Sequence, residues 1–368
     1  MSRFKIEKAI YSDNEELQVL SSLPAEGAIR ISFTKEPDFF AAANLHGDTV
    51  KTYVCREISN QKIVGVFSVA ERMTFYNNAF SPILYFSDLR INSQKQGSKV
   101  LYSIVRFVTD DILKESSIGQ TIVFADNTKM LQLINSLQTR SKNLSILQFH
   151  PYGDFTSYML KFPKIIKTIK KYKIAKATSR DIQNMKDFLF AERKQKNLLP
   201  QINLDKLGAG SYLGLTINNF YLAYDNENLV GICGVWDQTD IRQTKIHSYS
   251  KSIDRLRPLI NFIFKFTNNL TLPKSGTVLK LLNIHSIIIK DNLQDIFREL
   301  LNTICAEYYK SHYDYFLIGF DQKDPLNNIL KAFKTKRIIS GKHFLITNKK
   351  ITLEIDTKKL FFLETARI

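Results

Sequence analysis

Hydrophobic and polar positions follow the same order twice along this chain, once in each half. In the first half, KIVGVFSVAE (62–71) and ILYFSDLRI (83–91) have the composition of strands, and Tyr76-Asn77-Asn78 predicts a turn between them. Apolar residues at helical spacing then predict a helix over 97–114. TIVFAD (121–126) has the composition of a short buried strand in a parallel sheet.

The second half repeats this order of elements. NLVGICGVWD (228–237) and IHSIIIK (284–290) are predicted strands, a helix with one apolar stripe follows, and YFLIGF (315–320) is a further strand. A longer gap between the matching strands indicates an insertion over 245–280. Each half therefore predicts one right-handed βαβ unit joined to an antiparallel hairpin, which defines an α/β fold with a mixed sheet in each half.

The length of 368 residues favours two domains, because single cores stop growing near ~250–300 residues. A Lys-dense stretch over 161–181, which contains Pro163, predicts the boundary. We therefore expect a first domain over 1–162 and a second over 163–368. The stretch is interpreted as a solvated linker, with a nucleic-acid or lipid-headgroup patch as the alternative.

Charge and cysteine content narrow the class of protein. The formal charge is +17, from 52 basic and 35 acidic residues, which favours acidic or phosphate-bearing partners unless it reflects only a basic proteome. Cys55, Cys233 and Cys305 are far apart, so we expect neither disulfides nor a metal site, and a reducing cytoplasm. No stretch has the length of a signal peptide or membrane span, so we expect a soluble protein.

The loop after the strand that ends in Leu89-Arg90-Ile91 is the strongest candidate for an anion site. It is polar, contains a glycine and directly precedes a helix, so its backbone N–H groups and lysines can bind a pyrophosphate. Its residues are Gln94, Lys95, Gln96, Gly97, Ser98 and Lys99.

This segment, DLRINSQKQGSKVLY, resembles the acetyl-CoA-binding segment of the GNAT acyltransferases, whose pattern is Q/R-x-x-G-x-G/A after a strand. Gln94 and Gly97 match the pattern, while Lys99 stands where Gly or Ala is usual. The resemblance implies acetyl-CoA or another acyl-CoA as cofactor. It also implies that the main chain of Leu89 and Ile91 pairs with the pantetheine arm, and that Asn127 lies near the cofactor thiol.

Other segments are similar to a group of bacterial tandem-GNAT proteins and extend the resemblance over about 29–344. They include EPDFF (36–40), GVWDQTDIRQTKIHSYS, LRPLIN and FDQKDPL. In the second half the expected phosphate loop, 290–295, has no glycine and two carboxylates, which oppose an anion. We therefore expect two tandem GNAT-like domains, of which the second is degenerate for CoA.

Acyl transfer to an amine needs a base for the nucleophile and an acid for the leaving thiolate. Glu71 and Asp88 are the candidate bases, and Tyr85 and Tyr102 are the candidate acids. For Asp88 the alternative is a structural acceptor at a strand bulge.

A polar and aromatic segment of the second half is the candidate acceptor pocket, reached from the first domain. The residues predicted to contact the acceptor are Trp236, Asp237, Lys245 and His247. The alternative is a hydrogen-bond network that fixes the interface between the two domains.

The sequence thus predicts an acyl-CoA-dependent N-acyltransferase, in first place an N-acetyltransferase, acting on a small-molecule or peptide amine. Two alternatives remain open. One is a tRNA-dependent aminoacyl or peptidyl transferase of the tandem-GNAT kind, and the other is a non-catalytic module that binds CoA or nucleic acid. The pair Gln94 and Gly97 disfavours a nucleic-acid partner.

Overall fold

The computed structural model describes residues 3–24, 28–95, 99–113, 117–140, 147–163, 171–267, 270–333, 336–348, 353, 356 and 358–368. Its strands are β1 (Phe4–Lys8), β2 (Ile29–Thr34), β3 (Thr49–Glu57), β4 (Ile63–Tyr76), β5 (Ala79–Ile91), β6 (Gly119–Phe124), β7 (Gln148–Leu160), β8 (Lys173–Lys176), β9 (Leu199–Pro200), β10 (Phe220–Asp225), β11 (Asn228–Asp237), β12 (Gln243–Tyr249), β13 (Leu281–Ile289), β14 (Tyr315–Asp321) and β15 (Lys336–Thr347). Its α-helices are α1 (Asn14–Ser21), α2 (Phe39–Asn44), α3 (Val100–Phe107), α4 (Thr128–Arg140), α5 (Ile182–Glu192), α6 (Lys251–Thr267), α7 (Gln294–Tyr308) and α8 (Asn327–Lys331).

Most strands join one mixed sheet. Over the described residues its order is β1-β3-β4-β5-β6-β15-β7-β14-β13-β11-β10-β8, and β9 is attached to β4. β2 and β12 form a separate two-stranded sheet. The predicted α/β class is confirmed, although the two predicted sheets are continuous with each other.

The predicted βαβ unit is present in both halves. β5 and β6 are parallel and flank α3, and β13 and β14 are parallel and flank α7. The apolar stripe of α7 lies in the core of the second half, where Phe297, Leu300 and Ile304 are fully buried. Burial of such a stripe against a sheet is the main source of stability for a helix of this length.

The last strand of each half completes the sheet of the other half. β7 follows α4 of the first half but pairs with β14, from Phe316↔Leu160 to Asp321↔Phe155. β15 pairs with β6, from Gly341↔Phe124 to Ile346↔Gly119. β7 and β15 also pair with each other along their whole length. The proposed boundary between 162 and 163 falls in the segment between β7 and β8.

Some element bounds differ from those predicted. Asn77 and Asn78 form the predicted turn with φ of 48° and 65°, a left-handed pair that tightens a hairpin, so β4 and β5 extend to it. Of the helix predicted over 97–114, the described part is α-helical from Val100 to Phe107 and continues as a π-helix over Val108–Ile112.

The predicted insertion over 245–280 contains most of β12 and the whole of α6. β12 pairs with β2 of the first half, from Gln243↔Thr34 to Tyr249↔Ile29, so the insertion ties the two halves together. None of the helices in the described ranges has the length and apolar character needed to cross a membrane.

Candidate active site

The parallel strands of the first half separate after a short contact. β5 and β6 pair only at Leu84↔Gly119 and Tyr85↔Gln120 and then diverge. β5 has one more residue than β4 just beyond this point, and Asp88 in this bulge has a φ of 59°. A left-handed backbone is uncommon for residues other than glycine, although Asp adopts it more readily than most. From residue 86 to 91, β5 stays partly exposed, so the opening between the two strands is accessible.

The equivalent opening of the second half is filled by the chain itself. β13 and β14 pair only from Leu281↔Tyr315 to Asn283↔Leu317, yet every residue of β13 is buried. The segment 361–365 occupies the space, because the Phe361 N–H donates to Asp321 Oδ2 at 3.2 Å and the Ser286 N–H donates to Glu364 Oε2 at 3.0 Å.

A buried charge cluster forms at the bulge of β5. Lys35 Nζ lies 2.6 Å from Asp88 Oδ2, and His46 Nε2 lies 3.5 Å from the same oxygen. Lys35 directly follows β2 and His46 follows α2, whose start is capped by Asp38, which accepts from the N–H groups of Phe40 and Ala41. Lys35 and His46 are 8% and 2% exposed, so water does not screen this cluster.

The cluster holds a carboxylate beside a neutral imidazole. Burial alone would raise the pKa of Asp88, but the Lys35 ammonium beside it holds this pKa well below its usual range. Burial lowers the pKa of His46, although Asp88 opposes this shift. His46 Nδ1 lies 3.1 Å from the main-chain oxygen of Arg367, which can only accept, so Nδ1 carries the proton and Nε2 keeps its lone pair.

Tyr85 and Arg72 lie beside this cluster. The Arg72 guanidinium carbon is 3.6 Å from the centroid of the Tyr85 ring, and its nitrogens donate to the main-chain oxygens of His46 and Arg367. Burial raises the pKa of Tyr85, and burial lowers the pKa of Arg72 to about 10. Tyr85 therefore keeps its phenolic proton at neutral pH.

A cleft at the junction of the two halves reaches Arg72 and Tyr85. Its volume is about 560 Å³, counting the space open to solvent, and its lining includes Arg72, Tyr85 and Gln120 of the first half. Tyr212 and Arg367 line it from the second half. Buried polar atoms here and on the adjacent strands lack a hydrogen-bond partner within the described structure: Ser87 Oγ, Gln120 Oε1 and His343 Nδ1. Such atoms call for a bound molecule or water.

Of the predicted catalytic residues, the structure brings Tyr85 and Asp88 together. Glu71 is exposed on β4, opposite Leu84 of β5. Tyr102 lies on α3 with 52% of its surface exposed. Neither residue has a contact with the Asp88 cluster among those found in the described ranges.

The predicted cofactor residues are only partly described. Leu89 and Ile91 lie half-buried on β5, Gln94 is exposed, and Lys95 Nζ pairs with Glu57 at 2.9 Å. Gln96, Gly97 and Ser98 lie outside the described residues. Lys99 is exposed at the start of α3. Asn127 is exposed before α4, and its Oδ1 accepts from the Met130 N–H at 3.2 Å, as a helix cap does.

The predicted acceptor residues make contacts typical of a core and of an interface. Trp236 is 1% exposed and its indole N–H donates to the Leu213 carbonyl at 3.0 Å. Asp237 accepts from the Tyr313 hydroxyl at 2.8 Å. Lys245 and His247 lie on β12, which pairs with β2. Trp236 and Asp237 therefore bind within the second half, and only β12, with Lys245 and His247, joins the two halves as the alternative interpretation requires.

Sequence reasoning missed three charged residues of the site, namely Lys35, His46 and Arg72, whereas Arg242 lies in the predicted polar segment after Trp236. Arg242 binds the C-terminal segment, with Nη1 donating to the main-chain oxygen of Ile368 at 2.7 Å and Nη2 to that of Ala366 at 2.6 Å. The three missed residues are isolated in the sequence and meet only in the fold, so no spacing signal could have found them.

Comparison with solved structures shows which known fold this chain has. No family model matches the sequence, and no curated protein is significantly similar to it. Among solved structures, Saccharomyces cerevisiae N-myristoyltransferase with bound myristoyl-CoA aligns with a TM-score of 0.58 at 11% identity, covering 100% of this chain and 83% of that chain. A GCN5-related N-acetyltransferase from Sphaerobacter thermophilus aligns with a TM-score of 0.54 at 9% identity, covering 97% and 99%.

A third structure is a GCN5-related glucosamine N-acetyltransferase region of a fungal multi-domain GH3 β-N-acetylglucosaminidase. It has a TM-score of 0.58 at 8% identity and covers 94% of this chain, while this chain spans 38% of that protein. The chain therefore has the fold of the GCN5-related N-acetyltransferases, with the unit present twice. The predicted resemblance to the GNAT fold is confirmed.

Proposed function

We propose that this protein transfers an acyl group from acyl-CoA to an amine, and that the first half holds the acyl-CoA between β5 and β6. The observation that carries the proposal is the difference between the two halves. β5 is partly exposed beyond Tyr85, whereas the equivalent part of β13 is buried under residues 361–365. N-acetyl and N-myristoyl transfer by proteins of the same fold supports the reaction class.

The residues present fit such a cofactor. The half-buried main chain of Leu89 and Ile91 is available to a pantetheine arm, and Ser87 Oγ lacks a partner. Lys99 at the positive end of α3, with Gln94 and Asn127, would hold the polar part, as would Lys95 and the loop 96–98. When bound, acyl-CoA supplies an acyl group activated as a thioester. Acetyl-CoA is the first donor to test, because two of the structural neighbours are N-acetyltransferases.

The proposed base is His46. Its imidazole is neutral and lies behind Tyr85 of the cleft, with 5.9 Å between the two ring centroids. Nε2 is buried, so the bound acceptor has to open a path before Nε2 takes the amine proton, while Nδ1–H stays bound to the main-chain oxygen of Arg367. Protonated Nε2 would face the Asp88 carboxylate at 3.5 Å, so Asp88 stabilises the imidazolium. Asp88 itself is a weak base, because its pKa is held well below the usual range. Tyr85 holds a proton at its Oη and is the proposed acid.

The proposed acceptor is a small-molecule or peptide amine that enters the cleft lined by Arg72, Gln120 and Tyr212. Trp236, Asp237, Lys245 and His247 would act behind this cleft rather than within it. We place the reaction in the cytoplasm, on the ground that Cys55, Cys233 and Cys305 are all free and buried.

The test is a calorimetric titration of the full chain with CoA, followed by an assay of thiol release from acetyl-CoA with a panel of amines. We expect saturable CoA binding and amine-dependent release. RNA binding that weakens with salt, in a protein that does not bind CoA, would instead identify the tRNA-dependent transferase. CoA binding without turnover for every amine and acyl donor would identify a non-catalytic module.

A further inference from the structure

Helix α6 carries an exposed apolar face. Five large apolar side chains lie on one side of it at spacings of three and four residues, each about half exposed or more: Leu256 (51%), Leu259 (57%), Phe262 (58%), Ile263 (48%) and Phe266 (74%). Each of the other helices in the described part of the chain has at most one large apolar side chain that is exposed. Scattered apolar residues on a surface are normal, but a contiguous stripe of this kind marks a binding surface.

The opposite side of α6 is fixed to the protein. The Asn261 side chain donates to the Leu272 carbonyl at 2.9 Å and accepts from the Leu272 N–H at 2.7 Å. Ile253 packs against the cluster formed by β12 and its neighbours, which includes Ile246 and Tyr249. The helix is therefore held in place with its apolar stripe pointing away from the molecule.

Charge around this stripe is mainly positive. From Arg255 to Lys280 the sequence contains five basic residues (Arg255, Arg257, Lys265, Lys274 and Lys280) and no acidic residue. Asp254 is the only acidic residue of α6, and it pairs with Arg257. Lys251 and Arg255 are exposed on the helix. An anionic surface would therefore be attracted along the whole insertion.

We propose that α6 lies in the interface of an anionic lipid membrane, with Leu259, Phe262 and Phe266 inserted below the headgroups and the basic residues on the lipid phosphates. A helix with an apolar face and lysine or arginine around it has the chemistry of an interfacial helix. Lipids with a negative headgroup add to the attraction of each basic residue near the surface. The proposal concerns attachment to a surface and is independent of acyl transfer.

Docking through α6 would also orient the candidate active site. α6 directly follows β12, and Thr34 at the end of β2 donates its hydroxyl to Gln243 Oε1 of β12 at 2.7 Å. Lys35, the next residue after β2, reaches Asp88. The attached helix and the charge cluster are thus joined through one two-stranded sheet.

The experiment is co-sedimentation of the full chain with vesicles of phosphatidylglycerol and, separately, of phosphatidylcholine. We expect binding to phosphatidylglycerol that is at least about ten-fold stronger than to phosphatidylcholine. The double variant Phe262→Ser with Phe266→Ser should lose about ten-fold or more in binding. The matched control is Val19→Ser with Phe190→Ser, which also removes two exposed apolar side chains (68% and 60%) but from α1 and α5.

A second variant, Lys251→Glu with Arg255→Glu, should lose the preference for phosphatidylglycerol. Melting temperatures of all variants should match that of the parent, because each changed side chain is exposed. Equal binding to both lipids, no binding to either, or equal losses in the α6 variant and its control would each overturn the proposal. A dimer in light scattering that dissociates in the Phe262→Ser, Phe266→Ser variant would overturn it in favour of a second copy of the chain.

Discussion

Asp88 and Ser286 occupy the same place in the two halves, with φ of 59° and 50°. Each lies three residues beyond the last parallel pair, Tyr85↔Gln120 in one half and Asn283↔Leu317 in the other. Asp88 binds Lys35 beside an accessible opening, whereas the Ser286 N–H binds Glu364 of a segment that fills the opening. The two openings share this backbone geometry, but an ion pair lies at the first and a segment of the chain lies in the second.

We predict that His46→Gln lowers kcat by about 10²- to 10⁴-fold, the range for loss of a general base. CoA affinity should remain unchanged, because the described contacts of His46 are with Asp88 and Arg367, and neither is a predicted cofactor residue. Steady-state kinetics and calorimetry on the same preparation measure both quantities. Normal turnover by a folded His46→Gln protein would remove His46 from the mechanism.

Asp88→Asn tests how the carboxylate acts. The Asp88 charge raises the pKa of His46 against the effect of burial, so its removal should lower that pKa. A base works in its neutral form, and the acidic limb of the pH–rate profile should therefore move to lower pH, with a smaller maximal rate. An acidic limb at the same pH as in the parent would contradict the coupling between Asp88 and His46. The control for general effects on β5 is Leu89→Met, which changes a neighbouring residue without changing the charge.

The half that binds CoA can be identified with two matched charge reversals. Lys99→Glu places a negative charge at the start of α3 and should lower CoA affinity by about ten-fold or more. Lys290→Glu changes the first residue after β13, where the adjacent opening is filled, and should have no effect. Calorimetry measures the CoA affinity of both full-length variants. A loss of affinity confined to Lys290→Glu would move the proposed site to the second half.

The sequence was sufficient for the repeated strand–helix–strand order, because each element has its own periodicity. The bounds of β11, 228–237, were predicted without error. The exchange of β7 and β15 could not be predicted, since strand periodicity says which face is buried and not which strand lies beside it. Likewise Lys35 and His46 precede and follow α2, and nothing in their spacing from Asp88 indicates a shared cluster.

Stability should fall as the pH is lowered below neutrality. Burial lowers the pKa of His285 and of His343 from 6.5 to about 3. Between these values the unfolded chain binds the protons that the native state excludes, so the stabilisation is complete above pH 6.5 and declines below it. Each histidine contributes up to about 1.4 kcal/mol per pH unit.

Denaturant unfolding at several pH values between 4.5 and 7 measures this slope. His343→Gln should reduce the slope by about 1.4 kcal/mol per pH unit, whatever its effect on stability at pH 7. His312→Gln is the matched control, because His312 is exposed and should leave the slope unchanged. A His343→Gln protein with the parent slope would show that the native His343 takes up a proton in this range.

Trp236→Ala separates an acceptor contact from a structural contact. Trp236 is 1% exposed and packs in the core of the second half, so the change should cost about 3–5 kcal/mol of unfolding free energy. The folded fraction should keep nearly normal turnover, because Tyr212 and Arg367 lie at the cleft and Trp236 lies behind them. Loss of turnover with an unchanged melting temperature would restore Trp236 to the acceptor pocket.

The strand exchange predicts that neither half folds alone. Residues 1–162 would lack β15, which leaves β6 as an unpaired edge, and residues 163–368 would lack β7 beside β14. Expressed together, the two pieces should form a complex that co-purifies and melts cooperatively. Gly341→Val should prevent this assembly, because a Cβ at Gly341 would lie 2.4 Å from the Phe155 ring and 2.6 Å from the Val123 carbonyl oxygen. Ile338→Ala, which shortens an exposed side chain of the same strand (55%), is the control. A cooperative thermal transition of the isolated 1–162 piece would contradict the exchange, since that piece contains none of the strand that covers β6.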